Sequence, residues 1–477
     1  MAAASCHTRG VRVAILTFAI VLGASTTAMA EEIREIIVEK NTKTDDDTVA
    51  LIARIDVGDE WSVEKIDEIK GYLVSSGLFK DVNVFSDTHP QGGARVYIQV
   101  TDKHSWVIAP ALYLQPTNKG GGVGFGENNL FGQNQKLLLY GQVATGDTFF
   151  IGAWVIPSLG GTRFYAQLDT FLKSARNIEY ASPSGDIFHP EDVITKPIRE
   201  SRILYLNAGV KLGIELFRGF KFDARIRGAK VSYSDVKLYK GGCGAPDAPP
   251  EGECATIDEV TGDPTSTSVP APGAEGNDVS TEFTLSLDRR ANWFGVQTGY
   301  KYAVWFETAS PGLGSDFRYF LSGLSIFRAK QILQRHNAIL KTTINYAGNV
   351  PFQQEYLTGG TSMRGYLNNE LRGDFRAIAN LEYSFPMFTV LGLSVRGLGF
   401  FDSAYTTFIE TENTQRDYLP DARAHETRGR FVPWRNSVGG GIRLYMRQIV
   451  LPLLGVDFGY GLESRDYQIY LAIGLTD

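Results

Sequence analysis

Residues 204–215 read Leu-Tyr-Leu-Asn-Ala-Gly-Val-Lys-Leu-Gly-Ile-Glu, with an aliphatic residue at every second position. The two charges of this run, Lys211 and Glu215, both fall on the opposite face. Residues 467–476 near the end of the chain alternate in the same way. Successive side chains of a β-strand point to opposite faces, and an apolar face opposite a polar one is typical of strands in a transmembrane barrel.

Turn signals divide the chain from Trp106 onward into about sixteen such strands, an even number as single-chain bacterial barrels have. The apolar runs in this region are broken by charges such as Arg396 and Asp402, so none reads as a membrane helix. Only helices and closed barrels satisfy every backbone group in lipid. We therefore predict an antiparallel β-barrel over residues 104–477. The alternative is a soluble β-sandwich or propeller, whose outward faces should carry charge.

The first thirty residues have the features of an export signal. Arg9 and Arg12 precede an apolar run at residues 13–23, and Ala28-Met29-Ala30 is a cleavage motif. We expect residues 1–30 to be a signal peptide and the mature chain to reach the bacterial outer membrane. Without those two arginines the 47 basic residues fall to 45, against 53 acidic residues, a net charge of −8. This balance argues against nucleic acid as a partner.

Residues 31–103 form a separate small α/β unit in the order strand, helix, helix, strand, strand. Thr44 with Asp47 predicts the start of the first helix, and Ser62 predicts the start of the second. The link from helix to strand at residues 76–82 reads Ser-Gly-Leu-Phe-Lys-Asp-Val. This order and this link resemble the POTRA module found in the periplasm.

Residues 241–278 interrupt the alternation with proline, glycine, serine and threonine, and they contain Cys243 and Cys254. Long loops of outer-membrane barrels face outward. Two cysteines in an exported loop predict a disulfide, with metal binding as the alternative that nearby histidines would favour. We expect no cofactor and no other metal site.

Residues 350–373 predict a glycine-rich loop with the tip Gly359-Gly360-Thr361-Ser362-Met363-Arg364-Gly365-Tyr366, which could fold back into the barrel. An arginine cannot be neutralised at physiological pH, so Arg364 needs an acid or water. Asp457 is the expected acid, because its strand places it on the lumenal face. Three glycines on that face would let a loop approach the wall closely: Gly455, Gly459 and Gly461.

Three more charged residues are candidates for the lumenal face: Glu382, Asp402 and Arg443. In the alternative interpretation, these charges only line a wet pore and the glycines only relieve barrel curvature. The spacing by itself does not separate the two interpretations.

The loop tip resembles the hydrophobic-Arg-Gly-aromatic motif of the BamA and TamA superfamily, which includes the two-partner secretion transporters. Further matches are Gly-Glu-Asn-Asn-Leu-Phe-Gly at residues 126–132, Asp-Arg-Arg at 288–290 and Asp-Phe-Gly at 457–459. The resemblance implies a sixteen-stranded barrel that holds the loop of residues 350–373 inside its lumen, with Arg364 against Asp457, and that inserts or exports other polypeptides. Two departures are the single POTRA-like module and Gly455, where the assembly factor has an arginine. The glycine at position 455 predicts a lumenal network simpler than that of the assembly factor.

The first strand, about residues 105–115, and the last, about residues 466–476, should meet at a seam. Pro110 cannot donate a ladder hydrogen bond, so this seam should be poorly paired. The chain ends in Asp477 without the terminal aromatic typical of outer-membrane barrels, so its recognition by an assembly machine is expected either to be weaker or to rely on an internal aromatic such as Tyr470. An open seam offers unpaired backbone groups to a client strand.

The expected partners are client polypeptides and outer-membrane lipid, with periplasmic chaperones or an inner-membrane protein as further candidates. The predicted function is a polypeptide insertase or translocase, and the alternatives are a transporter dedicated to one exoprotein and a passive pore. An enzyme is not expected, because none of the five mature histidines lies next to a nucleophile motif such as G-x-S-x-G.

Overall fold

A computed structural model of the chain describes residues 31–115, 118–180, 197–217, 219–238, 275–293, 296–390, 393–410, 434–446 and 452–473. The predicted signal peptide at residues 1–30 and the predicted disulfide between Cys243 and Cys254 lie outside these ranges. Neither α-helix in the described ranges is long and apolar enough to cross a membrane.

The N-terminal part is a small α/β module built on a four-stranded sheet. Its elements are β1 (Glu31–Glu39), α1 (Asp46–Ala53), β2 (Glu60–Trp61), α2 (Glu64–Ser75), β3 (Phe79–Thr88) and β4 (Ala94–Asp102). The sheet order is β2-β1-β4-β3, with β1 and β4 parallel. Its core is apolar and includes Ile33, Val49, Leu73 and Ile98, which are fully buried. This architecture is consistent with the expected POTRA-like module.

Both helices of the module begin differently from the prediction. Asp45 rather than Thr44 stands at the N-cap of α1, and Val63 rather than Ser62 stands at that of α2. The Thr44 hydroxyl instead donates to Asp102 on β4 and accepts a hydrogen bond from Asn129 in the barrel. Thr44 therefore serves a tertiary contact, which spacing along one helix cannot reveal.

Sixteen antiparallel strands close into a barrel, and this confirms the predicted fold class. They are β5 (Trp106–Gln115), β6 (Asn118–Leu130), β7 (Gln135–Ala144), β8 (Asp147–Ile156), β9 (Phe164–Tyr180), β10 (Pro197–Phe217), β11 (Phe220–Leu238), β12 (Gly276–Asp288), β14 (Val296–Ala309), β15 (Tyr319–Gln331), β16 (Asn337–Gly348), β19 (Phe375–Val390), β20 (Leu393–Thr407), β21 (Arg435–Met446), β22 (Pro452–Gly461) and β23 (Tyr467–Ile473). The short β13 (Ala291–Trp293) pairs with β14. Because β12 begins at Gly276, the last residues of the predicted loop 241–278 belong to a strand.

The two faces of the barrel wall differ as the alternation predicted. On β10, Leu204, Val210 and Leu212 are exposed on the outer surface. Lys211, on the inner face, lies 3.1 Å from Asp223 of β11. An apolar exterior around a charged interior fits a barrel in lipid rather than a soluble sandwich.

Candidate functional site

The segment between β16 and β19 folds back into the lumen. It contains a short hairpin, β17 (Tyr356–Thr358) paired with β18 (Leu371–Gly373), and the tip residues lie between these two strands. Gly365 has a φ of 96°, and a Cβ there would lie 2.8 Å from the backbone nitrogen of Gly461. Only glycine combines this left-handed backbone with so close an approach to the wall.

Arg364, at the tip, is buried against acids from three strands of one wall, β19, β20 and β22. Its Nε and Nη2 donate to the two carboxylate oxygens of Asp402 at 2.9 and 2.8 Å, and its backbone N–H donates to the same carboxylate. Its Nη1 lies 3.3 Å from Glu382 and 3.5 Å from Asp457. The guanidinium also lies 3.4 Å from the centre of the Phe400 ring. Forked pairing with one carboxylate is the strongest geometry available to arginine.

The predicted partner, Asp457, is thus the most distant of the three acids. Arg443 binds Asp457 more closely than Arg364 does, with Nη1 and Nη2 at 2.6 and 2.7 Å from its two oxygens. Gly455 lies directly opposite Arg443 in the strand pairing, and the missing side chain leaves room for that guanidinium. An arginine on β21 therefore supplies beside Asp457 the charge that Gly455 on β22 lacks, and the expectation of a simpler network stays a prediction.

The glycines on the lumenal face of β22 allow the loop to touch the wall. A Cβ on Gly459 would lie 2.6 Å from the Gly365 nitrogen and 2.8 Å from the Arg364 carbonyl carbon. A Cβ on Gly461 would lie 2.9 Å from the Gly365 oxygen. Distances below 3.0 Å to backbone atoms are overlaps, so a larger residue would push the tip off the wall.

The residues beside Arg364 are buried as well. Met363 and Tyr366 are 0% and 1% exposed and pack with Ile378 and Ala404. The Tyr366 hydroxyl donates to Glu463 at 2.5 Å, and the Glu463 carboxylate also accepts from Asn436. At the start of the tip, the N–H of Gly360 donates to the Tyr366 carbonyl and the N–H of Gly359 donates to the Ser362 hydroxyl. Glu463 and Asn436 had no signal in the sequence, because both lie at strand ends among other polar residues.

The seam is the junction of strands β23 and β5. Among the described residues, three pairs join them, at residues 471–473 and 112–114, against seven pairs between β22 and β23 and ten between β5 and β6. Pro110 lies outside these three pairs and stands opposite Val123 of β6. Within the described residues the seam is seen at these three pairs, and its weakness stays a prediction.

The loop tip contacts both strands of the seam. The Tyr470 hydroxyl on β23 donates to the Tyr366 carbonyl at 2.7 Å and accepts from the Gly365 N–H. Asn368 donates to the Gln115 side chain, at the end of β5, at 2.8 Å. Tyr470 is 5% exposed and faces the lumen. This lumenal contact with the loop is a role the sequence did not suggest for Tyr470.

A second buried cluster holds the base of the loop against the far wall. Gln354 donates to Asp278 of β12 at 2.9 Å, and Asp278 belongs to a network around Arg227. Arg372, on β18, donates to Glu355 at 2.8 Å and to Asn177 of β9 at 2.7 Å. The loop therefore crosses the lumen from the β9–β12 wall to the seam. Sequence reasoning missed this cluster, although Arg372 is a second arginine in the same loop.

The stretch at residues 126–132 joins the barrel to the α/β module. Lys43 lies 2.9 Å from Glu127, the Asn129 amide donates to Thr44 at 2.7 Å, and the Asp45 N–H donates to the Gly132 carbonyl at 3.0 Å. Partial burial opposes ionisation of Asp102, but hydrogen bonds from Thr44 and from backbone N–H groups outweigh it and hold its pKa below the ordinary value. Asp102 therefore stays ionised at neutral pH, and its stabilising contribution is lost only as pH falls through that lowered pKa.

Gly132→Ala is expected to loosen the module from the barrel. Gly132 has a φ of 74°, and a Cβ there would lie 2.3 Å from the Lys43 carbonyl oxygen. Limited trypsin digestion at Lys103, in the connecting segment, should become several-fold faster. Gly160→Ala is the matched control, because Gly160 also has a positive φ of 56° but no atom within 4 Å of the added carbon. Equal digestion rates in the two variants would contradict this role for the junction.

These features define a sixteen-stranded barrel of the outer-membrane type that holds an arginine loop in its lumen and carries an α/β module before its first strand. Residues 129–476 match the Omp85 superfamily domain, which is nearly three quarters of the chain. The chain belongs to the Omp85 superfamily, and this confirms the resemblance seen in the sequence.

Solved structures of the same fold include two kinds of protein. BamA from Haemophilus ducreyi, lacking POTRA domains 1–3, is 15% identical with a TM-score of 0.59, over 93% of this chain and 85% of that one. CdiB from Acinetobacter baumannii is 12% identical with a TM-score of 0.60, over 94% and 74%. CdiB from Escherichia coli is 10% identical with a TM-score of 0.61, over 94% and 77%. Among curated protein sequences, no match was found.

Proposed function

We propose that the protein is an outer-membrane polypeptide insertase or translocase in which the arginine loop governs opening of the seam between β5 and β23. The observation that carries this proposal is the contact of the loop tip with both seam strands, through Gln115 and Tyr470. A loop anchored by Arg364 is thus bonded to both strands of a seam that shows three pairs among the described residues. Membership in the Omp85 superfamily supports insertion or translocation in general.

In this proposal a client strand pairs with the backbone of β5 once the seam opens. Such β-augmentation uses main-chain hydrogen bonds, so it is largely independent of client sequence. The outer edge of β3, which ends the module sheet, offers a second edge for an extended client before it reaches the barrel. The proposal includes no catalytic step, because client folding supplies the driving force.

The position of the loop favours this route over a passive pore. Its base is fixed at Asp278 and Asn177 on one wall, and its tip is fixed at Asp402 on the other. A pore of steady diameter would need the loop to leave these buried partners. Steady single-channel conductance in the wild-type protein would therefore favour the passive pore.

A disulfide across the seam should stop client delivery. Leu114 and Leu471 are directly opposite each other, so Leu114→Cys with Leu471→Cys can lock the junction under oxidising conditions. Delivery of a client barrel or exoprotein should fall to background on oxidation and return on reduction. The matched control is Leu324→Cys with Ile344→Cys, an opposed pair between β15 and β16, which are joined by twelve pairs. Full client delivery by the oxidised Leu114→Cys, Leu471→Cys variant would contradict the proposal.

Depletion of the protein separates the two forms of the function. Loss of many outer-membrane barrels from the membrane proteome would identify an assembly factor. Loss of one secreted protein would identify a transporter dedicated to that exoprotein. An unchanged proteome in both fractions would contradict either form.

A further inference from the structure

The bilayer-facing wall of β14, β15 and β16 carries cations near its periplasmic end. The exposed residues Val304, Phe320 and Leu340 mark the outer face of these three strands. Strand alternation places four more side chains on this face: Tyr300, Tyr302, Arg328 and Lys330. The pairing sets Arg328 between Tyr300 on one side and Leu340 on the other.

The position of Arg328 along its strand matches the depth of lipid headgroups. β15 ends at Gln331 and runs in the same direction as β6, so the turn at residues 332–336 lies at the barrel end that contacts the α/β module, the expected periplasmic side. Arg328 precedes that end by three residues, roughly 10 Å of strand at about 3.3 Å per residue. Cations on a lipid-facing wall are costly at the midplane of the bilayer and are tolerated near its interfaces.

Neither cation is compensated by an acid of the protein in the described ranges. The Arg328 Nε donates to the Tyr302 hydroxyl at 2.5 Å, and its guanidinium lies 5.5 Å from that ring. Lys330 has no side-chain partner in the part of the chain that the structure describes. Three cations of the lumenal face differ, since Lys211, Arg225 and Arg364 each contact an aspartate. Two positive charges are therefore left for a ligand on the lipid side.

A groove of about 760 Å³ opens on this wall between the cations and neighbouring apolar residues. Six of its lining residues are Tyr300, Tyr302, Arg328, Lys330, Leu340 and Leu381. Arginine binds phosphate oxygens in a fork, and lysine binds them as a point charge. The leucines and the tyrosine rings suit an acyl chain. The groove thus combines the two chemistries of one phospholipid molecule.

We propose that this groove binds an anionic phospholipid of the periplasmic leaflet, with its headgroup phosphate at Arg328 and Lys330 and an acyl chain along Leu340 and Leu381. The proposal does not depend on client delivery. The strands β14, β15 and β16 are the ninth to eleventh of the sixteen counted from β5, so they lie across the barrel from the seam. A bound lipid would fix the height of this wall in the bilayer while the seam side stays free.

The test compares lipid retention in the full chain and in the variant Arg328→Gln with Lys330→Gln. Each protein is placed in nanodiscs of phosphatidylethanolamine with either phosphatidylglycerol or phosphatidylcholine, then delipidated in detergent, and the retained lipid is counted by mass spectrometry. The wild-type protein should retain about one phosphatidylglycerol, and the variant should bind it roughly tenfold more weakly. Lys341→Gln, which removes a cation from the lumenal face of β16, should behave as the wild type.

Three outcomes would overturn the proposal. The first is equal retention by the wild type and the double variant, provided that both show the gel mobility of a folded barrel. The second is no preference of the wild type for phosphatidylglycerol over phosphatidylcholine. The third is displacement of the lipid by millimolar inorganic phosphate, which would assign the site to the free anion.

Discussion

Arg364→Ala is expected to abolish client delivery, while the barrel still folds and inserts. The variant removes the forked pair with Asp402 and leaves three carboxylates, those of Glu382, Asp402 and Asp457, around a single arginine, Arg443. Loss of one partner from a buried ion pair costs about 3 to 5 kcal/mol. This cost weakens docking of the loop tip and not folding of the wall, because the sixteen strands keep their backbone pairs.

The measurement is delivery of a client barrel or exoprotein by cells that carry only the variant, with barrel folding followed by heat-dependent gel mobility. Arg364→Lys is the informative control, because it retains the charge but loses the planar fork that matches Asp402. We expect intermediate delivery from it. Delivery by Asp402→Asn should be closer to that of Arg364→Ala than delivery by Asp457→Asn is. The reason is that Asp402 accepts hydrogen bonds from two of the three guanidinium nitrogens. Wild-type delivery by Arg364→Ala would disprove the assignment.

Gly459→Ala should reproduce the loss of Arg364 without changing any charge. The added carbon would lie 2.6 Å from the Gly365 nitrogen and 2.8 Å from the Arg364 carbonyl carbon. Both are backbone atoms of a tip that is already fixed by Asp402 and Tyr470, so they cannot shift cheaply. Overpacking of this kind costs about 1 to 3 kcal/mol. The expected result is a folded barrel with an undocked tip and little delivery.

The matched control for this variant is Gly399→Ala, in a neighbouring part of the same barrel wall. Its added carbon would meet one atom, the Gly439 carbonyl oxygen, at an ordinary distance of 3.9 Å. Delivery should stay at the wild-type level in Gly399→Ala and fall in Gly459→Ala. If both variants deliver normally, close contact between the tip and β22 is not required for function.

The sequence predicts the barrel and the loop because both leave local patterns. Alternation along residues 204–215 needs no knowledge of neighbouring strands, and Arg364 between glycines marks a tip that must find acids. The choice among Asp402, Asp457 and Glu382 could not be made, because all three lie on lumenal faces. Their distance from Arg364 depends on the register of four strands and on the depth to which the loop descends.

Other contacts were missed because their partners lie far apart in sequence. The Tyr470 hydroxyl forms a hydrogen bond with a loop residue more than a hundred positions away. Thr44 was predicted to cap a helix, but in the structure its hydroxyl accepts a hydrogen bond from Asn129. Arg372 and Glu355 form a buried pair inside the loop, but the hairpin that joins them has no alternation long enough to be recognised. Local patterns therefore find elements and candidate residues, whereas pairing across the lumen requires the fold.

The hydrogen bonds from the loop to Gln115 and Tyr470 have a thermodynamic consequence. Because one segment holds both the acid cluster and the seam, the two equilibria are linked, and linkage is reciprocal. A client that binds β5 and spreads the seam must weaken the docking of Arg364 by the same free energy with which release of Arg364 strengthens client binding. Client affinity should therefore rise in every variant that loosens the tip, even in those that no longer complete delivery.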